Sequence, residues 1–119
     1  MVEDADAAQG HAASVTIVYW RPGCGFCTRL LRDLDELDLD HERVNIYEDP
    51  DGAAFVRSVA SGNETVPTVL VDDVALVNPT TDDLVDHLAE VDPRLVPEGW
   101  QPRRPGAVAR RLRRWLHGG

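Results

Sequence analysis

Ser14-Val-Thr-Ile-Val-Tyr-Trp-Arg-Pro-Gly-Cys-Gly-Phe-Cys27 is the stretch on which the fold turns. Ser14 to Trp20 is β-branched and aromatic, which predicts a strand. Arg21-Pro22-Gly23 breaks it. From Cys24 the spacing turns helical, with Cys27, Leu30, Leu31, Leu34 and Leu37 recurring at intervals of three and four. A strand therefore feeds a helix directly, with both cysteines of the chain at the joint.

Working outward, His41 to Tyr47 reads as a second, shorter strand. Asp49-Pro50 has the form of an N-cap followed by proline at the first helical position. Ala53, Ala54, Phe55, Val56, Val59 and Ala60 supply an apolar face, and Gly62 a stop. Thr68–Val71 and Val74–Val77 flank Asp72-Asp73 as a hairpin. After Asn78-Pro79-Thr80-Thr81, a last helix runs from Asp82 to Val91 with Leu84, Val85, Leu88 and Val91 inward. The order β-α-β-α-β-β-α implies an α/β fold, a mixed central sheet flanked by helices. The expected organisation is a disordered extension at 1–13, one domain at 14–92, an extended Pro-rich linker at 93–106 and a basic amphipathic tail at 107–119.

At 119 residues the chain holds one domain with a modest core. The first dozen residues are acidic and alanine-rich, unlike a secretory signal, and no apolar run approaches the about 20 residues that span a bilayer. The expected location is cytoplasmic. The net charge of −9 is split: residues 1–97 hold 20 acids against 6 arginines, net −14, while 98–119 hold one acid against 6 arginines, net +5. All 12 basic residues are Arg, so no lysine is present to activate a thiol.

A thiol attacks a disulfide as its thiolate, and free N–H groups at a helix N-terminus favour that form. Cys24 falls at such a terminus; Cys27, three residues on, belongs to the apolar stripe. This assigns Cys24 as the exposed nucleophile and Cys27 as the buried resolving thiol. Half a zinc site is the first competitor, but His11, His41, His87 and His117 do not stand at ligand spacing, and no metal is expected. A pair of ordinary core cysteines is the second, and Pro22-Gly23 and Gly25 make position 24 a poor core position. A bridge closing so short a loop stabilises little, so the pair reads as redox chemistry.

A proline opening a strand, as in Thr65-Val66-Pro67-Thr68, is unremarkable alone. Together, Cys24-Gly-Phe-Cys27 after the first strand and Thr65-Val66-Pro67 before the hairpin resemble the glutaredoxin branch of the thioredoxin fold. Gly62-Asn-Glu-Thr-Val-Pro-Thr-Val69, with Asn78-Pro79 before a helix, is most similar to the actinobacterial mycoredoxins, over about residues 14–91. The resemblance implies a cis peptide at Pro67, close to the nucleophile, and an exposed Val66 backbone that pairs with the thiol substrate. It also implies a thiol co-substrate, mycothiol or glutathione, no tightly bound cofactor, and thiolated target proteins as partners of a monomer.

Glutaredoxins usually carry Gly-Gly, two residues and Asp before the last helix; here Asn78-Pro79-Thr80-Thr81-Asp82 stands instead. Thr81 and Asp82 still offer a hydroxyl or backbone N–H at a helix start, and Arg21 partly substitutes for the basic residue usual before the first cysteine. Glutathione carries two carboxylates and mycothiol none, so a site without the glycine cradle, on an acidic body, is expected to favour mycothiol. Two alternatives stay open: a redoxin fed by a thioredoxin-type reductase and serving ribonucleotide reductase, and a non-catalytic adaptor or cluster-binding dimer.

Phe26 is divided evenly between inert surface and partner contact, and Trp20 reads as packing. Asp33, Asp35, Glu36 and Asp38 read as a solvated acidic face, and His41 and His87 as surface or satisfied residues. In the tail, Val108, Leu112, Trp115 and Leu116 share a helical face among arginines. Weak docking on the acidic body is preferred there to contact with an anionic membrane surface, and nucleic acid is not expected as a partner.

Overall fold

The computed structural model describes residues 14–101. The N-terminal extension, most of the linker's second half and the basic tail lie outside the described residues. Four strands form one mixed sheet: β1 (Thr16–Trp20), β2 (Glu42–Asn45), β3 (Thr68–Val71) and β4 (Val74–Val77), in the order β2-β1-β3-β4. β1 pairs parallel with β2, with Val18 opposite Arg43, and antiparallel with β3, with Val18 opposite Val69. β3 and β4 form the hairpin, closing on Val71 opposite Val74. Three helices complete the frame: α1 (Gly25–Glu36), α2 (Pro50–Val59) and α3 (Thr81–Val91).

Alternation along the strands divides the core in two. Val18, Val69 and Val71 join Leu30, Leu31, Leu34, Leu84 and Leu88 on the side of α1 and α3. Tyr19, with Ile17 and Leu70 packed alongside, joins Ala53 and Val56 of α2 and Ala60 at its C-cap on the other side, in the cluster that also takes in both cysteines. A strand's period of two delivers consecutive residues to opposite faces, so one short apolar run serves both layers. The parallel β1–β2 pair needs a crossover, which α1 supplies.

Helix ends follow local chemistry. Asp49 caps α2, its side chain accepting from Gly52 N–H at 3.0 Å, with Pro50 as the first helical residue. Gly52 lets α2 lie close to the sheet: a Cβ there would stand 2.8 Å from Val44 Cγ1. Past the ends of α1 and α2 the left-handed positions belong to Asp38 (φ 58) and Ser61 (φ 57), with Leu39 N–H donating to Leu34 O and Gly62 N–H to Arg57 O. These are six-residue closures of the kind glycine favours. Gly62 is left-handed too, at φ 86, but it stands one position beyond the turn residue.

Asp38 therefore occupies a glycine position and adds a negative charge at the negative end of α1. Asp38→Gly is expected to raise stability by about 0.5–1 kcal/mol, read as a higher urea midpoint at unchanged slope. A fall in the midpoint would refute this account of the turn.

Several sequence expectations are corrected. The second strand shortens to Glu42–Asn45, since Glu48 N–H donates to Asn45 O as the chain turns away. Ala54 is exposed and Val91 is 42% exposed, because each helix buries a narrower stripe than its apolar content suggested. The supposed linker does not begin extended. Pro93–Leu95 is a 3₁₀ turn capped by Asp92, with Leu95 packed against the core, and Trp100 N–H donates to Pro97 O in a further turn. No helix among the described residues is long and apolar enough to cross a membrane.

Candidate active site

Cys24 is the N-cap of α1, in extended conformation (φ −102), and its sulfur accepts the N–H of Cys27 at 3.2 Å. Arg21-Pro22-Gly23 brings the chain to this point: Gly23 takes φ 79, turning the backbone from strand to cap. The helix then places Cys27 one turn below Cys24, and the two sulfurs are bonded as a disulfide with the Cα atoms 5.2 Å apart. Cys27 is 1% exposed and Cys24 is 8% exposed. The expected contrast between an exposed and a buried thiol is thus much reduced; the nucleophile sits in a shallow recess whose apolar surround includes Tyr19, Ile46 and Val66. Burial, with Asp49 and Glu42 adding, pushes the Tyr19 hydroxyl up, so it stays a neutral phenol where thiols titrate.

The loop before β3 closes over the sulfur. The Val66–Pro67 peptide is cis, and the Val66 carbonyl oxygen stands 3.7 Å from Cys24 Sγ. Val66 as a whole is 8% exposed, and its carbonyl faces the cysteine. Thr68 Oγ1 donates to Thr65 O at 2.8 Å, and Asn78 N–H donates to Pro67 O at 2.8 Å, tying this loop to the segment before α3. Residues 24, 66 and 67, which come from two distant segments, are therefore brought together.

Arg21, Phe26, Thr81 and Asp82 do not all join them. Arg21 is half-buried at the end of β1 and does not line the neighbouring groove. That groove, about 320 Å³, runs between α1 and the start of α3, lined by Phe26, Arg29, Asp33, Asn78, Thr81 and Asp82 among others. Phe26 stands 69% exposed at its rim. Thr81 and Asp82 are buried in its wall, at 7% and 5% exposure. The start of α3 carries a capping box: Asp83 N–H donates to Thr80 Oγ1, and Thr80 N–H donates to Asp83 Oδ2, both at 3.0 Å.

Asp33 is the residue the sequence misplaced. It is 3% exposed, not part of a solvated face, and accepts the Thr81 hydroxyl at 2.6 Å across α1 and α3. Its spacing held a usable signal, since Asp33 lies three residues after Leu30 and beside Leu34, on the flank of the apolar stripe. His87 was expected to be surface-exposed or satisfied; its Nε2 is buried without a hydrogen-bond partner. No group of three or more His, Cys, Asp or Glu among the described residues is placed to hold a metal ion.

A Cys-x-x-Cys disulfide at the first turn of a helix, on a sheet of this order, is the arrangement of a thioredoxin-like thiol–disulfide oxidoreductase. Known proteins narrow the class. The glutaredoxin family model matches residues 16–76. Two Mycobacterium tuberculosis proteins carrying the glutaredoxin name, from strains H37Rv and CDC 1551, are each 38% identical over 80 residues, 66% of this chain and 94% of theirs. The holo form of glutaredoxin C1 from Populus tremula x tremuloides superposes with a TM-score of 0.50 at 23% identity, covering 76% of this chain and 92% of that one. Glutaredoxin from Brucella melitensis does so with 0.50 at 24%, covering 74% and 94%; both show the fold. The chain belongs to the glutaredoxin family. As such it exchanges disulfides between proteins and a low-molecular-weight thiol.

Proposed function

We propose that the low-molecular-weight thiol is mycothiol and that the protein reduces mixed disulfides between mycothiol and proteins. In the reduced enzyme the Cys24 thiolate, held by the Cys27 N–H and the end of α1, attacks the mycothiol sulfur of the mixed disulfide. The protein–mycothiol bond breaks as the Cys24–mycothiol bond forms, and the target leaves as a thiolate that takes a proton. A second mycothiol then attacks the mycothiol sulfur bonded to Cys24, giving mycothiol disulfide and restoring the Cys24 thiolate. Alternatively Cys27 displaces mycothiol, giving the intramolecular disulfide seen here, which two further thiol equivalents reduce.

The observation that carries the choice of thiol is the state of the α3 N-terminus, which the Asn78–Pro67 hydrogen bond ties to the loop facing Cys24. A bare helix start attracts carboxylates. Here the N–H groups of Thr80 and Asp83 are taken up by the capping box, and Asp82 and Asp83 place two acids in the first turn. The wall of the groove is thus poorly suited to the carboxylates of glutathione and compatible with a neutral, polyhydroxylated head. With a mycothiolated and a glutathionylated form of one protein, each supplied with its own thiol, kcat/KM is expected to favour the mycothiol pair by about tenfold or more, equivalent to about 1.4 kcal/mol. Equal or better turnover of the glutathione pair would refute the reading.

A further inference from the structure

We propose that a groove at the start of β1, at the opposite end of that strand from the dithiol, seats residues 107–117 of this same chain. The apolar side chains of that segment lie on leucines of the groove, and its arginines lie beside Asp38 and Asp40. The proposal is independent of which thiol serves as co-substrate.

The groove, about 370 Å³, opens where β1 begins, where α1 ends and where the chain leaves α3. Leu88 is buried in it, while Leu37, Leu39, Leu95 and Val96 line it half-buried, with apolar surface still open to water. Its charged residues are Asp38, Asp40 and Arg94. Both aspartates are exposed, whereas the Arg94 guanidinium donates to Asp92 at 3.1 and 2.8 Å, so its charge is already paired. The five residues of β1 rise about 13 Å from this end to the end that leads into Cys24. An occupant of the groove therefore leaves the dithiol uncovered.

Three observations select the segment. The first is direction. Trp100 N–H donates to Pro97 O at 3.1 Å, and Gly99 at the third position takes φ 77, the glycine conformation of a type II turn. Such a turn brings its first and last Cα atoms within about 7 Å and reverses the chain. Pro97 lines the groove, so the chain beyond Gln101 starts at its edge and heads back along it. The second is charge. Residues 107–117 hold four arginines and no acid, against a body of net −14 over residues 1–97. The N-terminal extension also begins at this groove, at Ser14, but residues 1–13 carry Glu3, Asp4 and Asp6 and no arginine, which disfavours them beside Asp38 and Asp40. The third is pattern. Val108, Leu112, Trp115 and Leu116 are spaced as one helical face, which matches a groove of leucines. Exposed ion pairs contribute little individually, so apolar contact holds the segment and charge selects it. The short tether keeps the local concentration of the segment in about the millimolar range, so a weak contact suffices.

The test uses the full chain with Gly118→Cys, Cys24→Ser and Cys27→Ser, which carries one nitroxide just after the segment. Amide signals of residues 37–40 and 94–97 are expected to lose about half their intensity or more against the reduced label, while those of Phe26, Tyr47 and Val66 keep theirs. Leu112→Ser with Trp115→Ser, which retains every arginine, is expected to abolish the loss, and Asp40→Arg to weaken it. No loss at 37–40 and 94–97, a loss centred elsewhere, or a loss that survives Leu112→Ser with Trp115→Ser or is unchanged in Asp40→Arg would overturn the proposal. So would a loss seen only when labelled chains are mixed with unlabelled ones, which would place a second copy in the groove.

Should the labelled protein not fold, the chain with both cysteines still decides. Amide shifts of Leu112→Ser with Trp115→Ser are expected to differ from wild type at 37–40 and 94–97, with mixed-disulfide turnover unchanged. Identical shifts there would leave the groove without this occupant and overturn the proposal, whatever the outcome of the comparison between mycothiol and glutathione.

Discussion

Cys24→Ser is expected to reduce mixed-disulfide turnover by a thousandfold or more, roughly the loss that follows removal of a catalytic nucleophile, while Cys27→Ser retains turnover when a low-molecular-weight thiol is in excess. The asymmetry follows from what each cysteine supplies. Cys24 provides the sulfur that attacks, and a hydroxyl in its place is a poor nucleophile at neutral pH. Cys27 supplies two things, a second sulfur and a backbone N–H directed at Cys24 Sγ at 3.2 Å. Substitution to Ser removes the sulfur and leaves the N–H, so the group that holds the thiolate survives. Turnover in the presence of excess thiol then proceeds through the adduct on Cys24 alone. Iodoacetamide labelling of reduced Cys27→Ser gives a parallel reading: position 24 is expected to alkylate faster at neutral pH than a cysteine in an unstructured peptide. A Cys27→Ser protein as inactive as Cys24→Ser would show that the second sulfur is obligatory, and peptide-like labelling would remove the helix end as the source of reactivity.

Leu34→Ala is expected to lower stability by about 3 kcal/mol, the largest effect among single core truncations of α1. Leu34 is fully buried in the cluster that joins α1 and α3 to the sheet, alongside Val18, Val69 and Leu84. Neighbours on three elements cannot all move inward, so most of the lost volume remains as a cavity. The urea midpoint should fall at unchanged slope, and the melting temperature by roughly 10–20 °C for a domain of this size. Because the dithiol belongs to the other core cluster, alkylation of Cys24 in the folded fraction is expected to stay at its wild-type rate. A shift below about 1 kcal/mol would mean the site collapses around the smaller side chain and that the core is less tightly packed than its burial implies.

Much of this protein is written in short-range patterns. The apolar alternation of residues 16–20, the change to helical spacing at Cys24, the Asp49-Pro50 cap and the turn at Asp72-Asp73 each depend on neighbours a few positions away. Such patterns can be read because the preference they express is local, in backbone geometry and capping hydrogen bonds. They were enough to place three helices, four strands and the dithiol, and the motif at residues 65–67 pointed to the family. Where local patterns failed, they failed at edges: Ala54 and Val91 are apolar but lie outside the buried stripe, and the Pro-rich segment begins with a packed turn.

The groove depended on the tertiary structure. Val66 meets Cys24 across 42 positions of sequence, and Thr81 meets Asp33 across 48. An aspartate among other acids on α1 looks like surface until α3 is laid against it, and a threonine after a cap looks available until its proton is assigned. Sequence by itself determined the order of elements, the dithiol and its place at a helix start. Only the packing of α3 on α1 decided which carboxylate is buried and what it bonds, because burial belongs to the whole fold and not to any short segment.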